Sequence, residues 1–175
     1  MHRERGLTLI ELSVTLAVLA ICAAVGVPAL QTFVQQQRAT AAMGSLTVHL
    51  ASARMAAVTH RRPVVVCPMD DEATGCVQET DWSRGWIVFF DPDGNRRPDE
   101  PDQVIAVEQT RSGSSLRVLT SSGRRHVRYL PDGTSAGTNV TFELCGAEGS
   151  LLGKVIVNNA GRSRIERPAE PVACL

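Results

Sequence analysis

The sequence lacks the patterns by which most catalytic and metal-binding chains are recognised. It has no C-x-x-C pair, no phosphate-binding glycine loop and no Ser/His/Asp order, and its four histidines do not stand near cysteines at zinc spacing. We therefore expect no enzyme activity, no metal and no cofactor. Aromatic residues are few, at 4%. Net charge is absent too, since 18 basic side chains balance 18 acidic ones, so no overall attraction to nucleic acid or membrane is predicted.

The neutral total conceals an uneven distribution of charge. Residues 68–108 hold eleven acidic side chains against three arginines, whereas residues 109–167 hold nine basic side chains against four acidic ones. Lys154 is the only lysine in the chain. An acidic region is therefore followed by a basic one.

An apolar run of about 24 residues, 7–30, follows the N-terminus and contains a single charge, Glu11. As a helix it would extend about 36 Å, which is enough to cross the hydrocarbon of a bilayer. His2, Arg3 and Arg5 before it predict a cytoplasmic N-terminus. A signal peptide is disfavoured because the run is long and no small-residue cleavage site follows cleanly. Since a carboxylate in hydrocarbon costs roughly 2.5 kcal/mol or more, Glu11 is expected to have a partner.

The helical pattern continues through residues 31–62, where one face is apolar and the others are polar. Cations at the end of this stretch and Pro63 beyond it predict the end of the helix. We expect this second half to lie on a globular partner. The apolar positions recur at alternating steps of four and three and are Ala39, Met43, Leu46, Leu50, Ala53 and Ala57.

Short β-rich runs separated by turn sequences such as DPDGN and LPDGTSAG make up residues 63–175. They predict an antiparallel sheet domain, with the stripe of the helix packed on one of its faces in an α+β lollipop. Strands are predicted over 64–67, 85–90, 103–108, 116–119, 126–130, 140–145 and 154–158.

Four of the five cysteines, Cys67, Cys76, Cys145 and Cys174, lie beyond the apolar run. An even set of cysteines after a membrane-targeting segment favours disulfides in an oxidising compartment. Of the three possible pairings we favour the two local ones. Cys67 with Cys76 would close a short loop, and Cys145 with Cys174 would tie down the C-terminus.

The stretch ERGLTLIEL resembles the prepilin signature of type IV pilins and type II secretion pseudopilins. The resemblance implies that a membrane prepilin peptidase removes residues 1–6 by cutting after Gly6 and methylates Leu7, where Phe or Met is more usual. It also implies an inner-membrane protein with a periplasmic globular domain that later enters a cell-surface pilus. In the filament, the Glu11 carboxylate would pair with the Leu7 ammonium of a neighbouring subunit, so each charge offsets the desolvation of the other.

The rest of the chain contains Trp82 and the motifs VVVCP at 64–68, GWIVFFD at 85–91, FELC at 142–145 and VIVNNAGRSR at 155–164. On these residues it resembles the FimT/GspH/FimU family of minor pilins. The resemblance implies the type IV pilin-like lollipop fold and other major and minor pilins as partners. The piece GRSR is similar to the GRxR motif of FimT-type minor pilins, which bind DNA for natural transformation.

Arg162 and Arg164 are the central candidates for DNA contact. On a strand following the NNAG turn they would share a face, and two guanidiniums about 7 Å apart can bridge consecutive phosphates. Binding would be weak, salt-sensitive and independent of sequence. The alternative is a solvated hairpin with ion pairs to Glu166 or Glu170. The other predicted DNA-binding residues are Gly161, Lys154, Arg167, Arg124 and Arg125.

Two further features are assigned structural roles. The acidic stretch DPDGNRRPDEPD departs from a calcium loop in the position of its glycine and in the missing closing glutamate, so we predict a hairpin turn. Trp82 and Trp86 are expected in the core or at its edge rather than as platforms for stacked bases.

Two other functions remain open from the sequence. One is a FimU-like structural subunit that primes pilus assembly without touching DNA. The other is a GspH-like minor pseudopilin of type II secretion. Gly6, Glu11 and the predicted fold are common to all three functions, and only Arg162 and Arg164 favour DNA binding.

Overall fold

The computed structural model describes residues 8–109, 116–137, 139–170 and 172–174. Within them the chain forms one long helix followed by eight strands in two antiparallel sheets. The chain divides into two units, of which the first ends at Gln37 and the second begins at Arg38. The predicted α+β fold, a long N-terminal helix packed on antiparallel strands, is confirmed.

Helix α1 spans Leu9–His60 and begins directly after Thr8. The Thr8 hydroxyl accepts a hydrogen bond of 3.3 Å from the Glu11 N–H and its carbonyl accepts one of 3.1 Å from the Leu12 N–H, so Thr8 caps the helix. From Thr8 to Val34 every side chain is exposed. By length and a mean hydropathy of 2.3 over 18 residues, α1 could cross a membrane, although signal sequences and core helices pass the same test.

In the second unit, α1 buries one stripe against the strands. The buried residues are those that the sequence predicts: Ala39, Met43, Leu46, Leu50, Ala53 and Ala57. Their period places them on one side of the helix, and they join a core to which both sheets contribute. The Trp86 Nε1–H donates a hydrogen bond of 3.0 Å to His49 Nδ1 at the edge of this contact.

The strands form two four-stranded sheets with the orders β3-β2-β1-β5 and β4-β6-β7-β8. The sequence predicts the antiparallel strands but not their division between two sheets, because pairing between distant strands is not encoded in local pattern. The positions of the predicted strands agree with the structure to within three residues. The strands are β1 (Val64–Pro68), β2 (Gly85–Phe90), β3 (Val104–Gln109), β4 (Arg117–Thr120), β5 (Val127–Tyr129), β6 (Val140–Cys145), β7 (Leu151–Val157) and β8 (Ser163–Glu166).

In the first sheet, strands β1 and β2 are buried on both faces. Val64 and Val66 of β1 belong to the core shared with α1, whereas Val65 and Cys67 belong to a second cluster with Ile87. This two-sided burial explains why β1 reads as an unbroken apolar run rather than as an alternating one. The prediction for the two tryptophans is confirmed, since Trp82 is 0% exposed and Trp86 is 2% exposed.

Two disulfides join the cysteine pairs that the spacing favours. Cys67 bonds Cys76, which closes the loop that covers the second cluster, and Cys145 bonds Cys174, which fastens the C-terminal segment to the end of β6. Each closed loop restricts the unfolded chain and so stabilises the fold.

Candidate nucleic-acid interface

A tight turn joins β7 to β8 and carries the GRSR motif. The Gly161 N–H donates to the Asn158 carbonyl oxygen at 2.9 Å, and the Asn158 N–H donates to the Arg162 carbonyl oxygen at 3.0 Å. The Asn158 side-chain oxygen also accepts a hydrogen bond of 2.9 Å from the Arg162 N–H. These bonds fix the backbone of Arg162, which lies in the turn, one residue before β8 begins.

The glycine of the motif has a structural role. Gly161 adopts φ +75, in the left-handed region that favours glycine. A Cβ at this position would collide with the Gly133 carbonyl oxygen and would lie 3.1 Å from Arg54 Nε. The turn therefore rests directly on the loop at residue 133 and on α1, and only a residue without a side chain fits there.

Arg162 is exposed at the rim of a groove of about 530 Å³ between α1 and the turn. Within the described part of the chain, no ion pair joins its guanidinium to a carboxylate. The same holds for Arg167, which follows β8 and is also exposed. These two side chains can therefore offer their positive charge to a ligand.

Arg164 and Lys154 are less available than the sequence suggests. On β8, Arg164 Nε donates to Glu166 Oε1 at 2.8 Å. On the neighbouring β7, Lys154 Nζ donates to Glu143 Oε1 at 2.8 Å, and Glu143 is only 5% exposed. The ion pair with Glu166 that the sequence offered as an alternative is present, and Lys154 serves to neutralise a buried carboxylate.

Arg124 and Arg125 lie on the segment before β5. They line a different cavity together with Arg96 and His126. The sequence-based prediction missed these last two residues. Arg124 Nη2 donates to Ser135 Oγ at 3.0 Å. Nothing in local pattern connects Arg96 with this segment, because Arg96 belongs to the acidic region of the sequence.

A short chain of hydrogen bonds connects this cavity to the turn of the motif. Ser135, which accepts from Arg124, donates its N–H to the Asn159 carbonyl oxygen at 2.9 Å. Asn159 belongs to the turn that ends at Arg162. The seven predicted DNA-binding residues therefore divide into two groups, one on the β7–β8 hairpin and its flank and one beside the cavity.

The residues predicted for processing and assembly lie at the N-terminus. Gly6 and Leu7 fall outside the described residues. Glu11 lies in the first turn of α1, where its side chain is exposed. A carboxylate in the first helical turn interacts favourably with the helix dipole.

The acidic stretch forms the connection between β2 and β3, as predicted for a hairpin. Asp93 accepts a hydrogen bond of 2.8 Å from the Asn95 side chain, and the Asn95 side-chain oxygen accepts one of 2.7 Å from the Arg97 N–H. Among the described residues, the one group spaced for a metal combines Glu143 with Cys145 and Cys174, which form a disulfide.

The chain is similar to known proteins over most of its length. Residues 42–161 match the model of a family described as type II transport protein GspH, and residues 1–27 match the prokaryotic N-terminal methylation motif. The chain is 28% identical over 168 residues to the pilin-like protein PilA1 of Thermus thermophilus. The aligned residues cover 93% of this chain and 99% of that protein.

Two solved structures have a similar fold. The type IV minor pilin FimU of Pseudomonas aeruginosa is 20% identical, with a TM-score of 0.62 over 82% of this chain and 99% of that one. The minor pseudopilin EpsH from the type 2 secretion system of Vibrio cholerae is 14% identical, with a TM-score of 0.52 over 75% of this chain and 98% of that one.

Proposed function

Because the chain belongs to the GspH family of type II transport proteins, we propose that it is a minor type IV pilin that binds duplex DNA through the β7–β8 turn. Its place among minor pilins and pseudopilins follows from the family, the N-terminal methylation motif and the pilin-like fold. DNA binding, processing and the route of assembly are the parts that we propose.

Assembly would proceed through α1. Its side chains from Thr8 to Val34 are all exposed and mostly apolar, so they have no packing partner within the described chain. Removal of residues 1–6 after Gly6 would leave an ammonium on Leu7 for the Glu11 carboxylate of a neighbouring subunit. Mass spectrometry of the chain from its native host is expected to show loss of residues 1–6 and one added methyl group.

The position of Arg162 carries the proposal of DNA binding. Asn158 fixes the backbone of Arg162 by bonding to both its N–H and its carbonyl oxygen, while the Arg162 side chain is exposed. The turn itself packs on Gly133 and α1 through Gly161. Because the backbone of Arg162 is already fixed, only its side chain has to lose conformational entropy when the guanidinium pairs with a phosphate. Contacts of this kind are to the DNA backbone and carry no sequence information.

The surrounding side chains are expected to contribute unequally. The Arg164–Glu166 pair is exposed, at 58% and 49%, so a phosphate can compete with Glu166 for the guanidinium at small cost. Lys154 is held by a buried Glu143 and is expected to contribute little. Arg162 should therefore dominate, with Arg164 and Arg167 in support.

Fluorescence anisotropy with a labelled DNA duplex tests this proposal on the full chain in nonionic detergent over a salt series. We expect binding that weakens as salt rises and that falls at least about tenfold in the Arg162→Gln/Arg164→Gln variant. Arg84→Gln/Arg97→Gln is the matched control, since it also removes two positive charges from exposed side chains, but outside the β7–β8 hairpin, and should change binding little. A wild-type chain that stays unbound at low salt would remove DNA from the proposed function.

A structural subunit that primes pilus assembly is the second candidate. It is favoured by a second exposed apolar row on α1, with Val48 at 61%, Met55 at 66% and Val58 at 48% exposure. These positions share one side of the helix and suit packing against another subunit. The test is to count pili in a strain that lacks the gene and expresses one variant at a time. If the protein primes assembly, Val48→Glu/Met55→Glu should fail to restore pili, whereas Arg162→Gln/Arg164→Gln should restore them.

A further inference from the structure

A cavity of about 420 Å³ lies between the loop that follows β2 and the segment that precedes β5. Its wall contains three arginines and a histidine, and none of the described residues that line it is acidic. Concentrated positive charge around a concave site is the usual arrangement for binding an anion. The side chains used below are Arg96, Arg124, Arg125, His126, Gln78 and Ser122.

Arg96 is held in a strained backbone conformation. Its φ of +63 lies in the left-handed region, which is unfavourable for a residue with a side chain. Its N–H donates to Asp91 Oδ1 at 3.3 Å, and its carbonyl oxygen accepts from the Cys76 N–H at 3.2 Å. Asp91 is 0% exposed and Cys76 is disulfide-bonded, so two rigid parts of the fold keep Arg96 at the cavity. Strain that the surroundings maintain is typical of binding sites.

Arg124 approaches the cavity from the opposite wall. Its guanidinium lies against Gly137, where an added Cβ would be 3.5 Å from Cζ, and donates to Ser135 Oγ at 3.0 Å. Arg124 is partly buried, and this burial lowers the pKa of its guanidinium from the usual value.

His126 experiences the combined field of the arginines. Burial lowers its pKa, and the positive charges of Arg96, Arg124 and Arg128 lower it further. Arg128 itself faces Asp91, with 3.9 Å between Nη1 and Oδ2, so the one buried carboxylate nearby is already engaged. Among the described residues that line the cavity, no carboxylate accompanies the arginines.

We infer that this cavity is a binding site for a phosphate group, held by the guanidiniums of Arg96, Arg124 and Arg125 with Gln78 and Ser122 as neutral donors. Guanidinium forks match the oxygens of phosphate, and several forks on one anion suit its three-dimensional shape better than that of a planar carboxylate. The volume leaves room for a phosphate attached to a larger molecule. The inference does not depend on DNA contact at Arg162.

NMR of the full chain in nonionic detergent tests the site with inorganic phosphate as the probe. Phosphate is expected to shift the His126 ring signals saturably and to raise the pKa of His126, because a nearby anion favours the imidazolium. Chloride at equal ionic strength should do neither. Arg96→Gln/Arg125→Gln should weaken phosphate binding at least about tenfold, while Arg97→Gln, an exposed neighbour outside the cavity, should leave it unchanged.

Arg125→Gln alone serves as a second variant, because Arg125 is exposed and its loss should not disturb folding. Shifts that chloride reproduces, or that persist in both cavity variants, would overturn the inference. A duplex DNA arm then separates the two sources of phosphate. If DNA displaces inorganic phosphate, and still does so in Arg162→Gln, the ligand of the cavity is the nucleic-acid backbone. If DNA leaves phosphate binding intact, the ligand is a free phosphate or a small phosphate ester.

Discussion

Arg54 donates a hydrogen bond of 2.8 Å from its Nε to the carbonyl oxygen of Gly133. The same carbonyl oxygen lies against the Cα of Gly161, so one contact connects α1, the loop after β5 and the turn of the GRSR motif. The position of Arg162 is therefore set by the helix as well as by its own hairpin.

The first prediction concerns Gly161→Ala. The new Cβ would collide with the Gly133 carbonyl oxygen in a backbone that already has φ +75, so the fold should lose stability and Arg162 should shift. Gly149→Ala is the matched control, because Gly149 has φ +73 but nothing within 4 Å. In urea denaturation followed by tryptophan fluorescence, Gly161→Ala should cost about 1–3 kcal/mol more than Gly149→Ala. Equal costs would contradict the steric role.

The second prediction concerns the stripe by which α1 packs on the strands. Leu50 is 0% exposed, and Leu50→Ala should lower the free energy of unfolding by about 2–5 kcal/mol through lost burial and a new cavity. Val48 is 61% exposed on another side of the same helix, so Val48→Ala should cost less than about 0.5 kcal/mol. Chemical denaturation of the two variants compares these costs directly, and a small loss for Leu50→Ala would place the core elsewhere.

The third prediction separates the two ion pairs on the second sheet. Lys154→Ala removes the lysine that faces the buried Glu143 carboxylate and should cost about 1–3 kcal/mol. Arg164→Ala breaks an exposed pair with Glu166 and should cost about 1 kcal/mol or less. Unfolding midpoints at neutral pH are the measurement. A larger loss of stability for Arg164→Ala than for Lys154→Ala would contradict the prediction that the pair with buried Glu143 matters more than the pair with Glu166.

The fourth prediction concerns pH. The His126 pKa is lowered by burial and by three arginines, so below about pH 6.5 the unfolded chain binds a proton that the folded chain resists. The contribution of His126 to the free energy of unfolding is therefore fully present above pH 6.5, and it is lost as the pH falls toward the lowered pKa of His126 in the folded state. His126→Gln should remove this part of the pH dependence. Urea midpoints of both proteins between pH 5 and 8 test it, and parallel profiles would refute it.

Much of the fold follows from local sequence. The stripe from Ala39 to Ala57 has helical period and becomes the buried face of α1, and the β-rich runs become strands because apolar pattern and turn residues agree. The division of the strands between two sheets could not be predicted, since it depends on pairings such as β1 with β5 that lie far apart in the sequence.

The candidate site is predictable only in part, for a related reason. The motif with Arg162 and Arg164 is visible in the sequence, and so is Glu166, which pairs with Arg164 on the same strand. The pairing of Lys154 with Glu143 is not visible, because it comes from the register of β6 and β7. Arg96 reaches Arg124 and His126 only because the loop after β2 folds back on Asp91. Contacts between loops have no period by which a sequence could reveal them.

The exposed apolar half of α1 restricts how the subunit can travel. From Leu9 to Val34 it presents to its surroundings a surface that water solvates poorly, and a chain dispersed in an aqueous compartment would aggregate through it. In the assembly that we propose, the subunit would therefore pass directly from lipid to neighbouring helices. No reservoir of dissolved subunits would form, so the supply of this protein to a growing filament would be limited by lateral movement rather than by diffusion through solution.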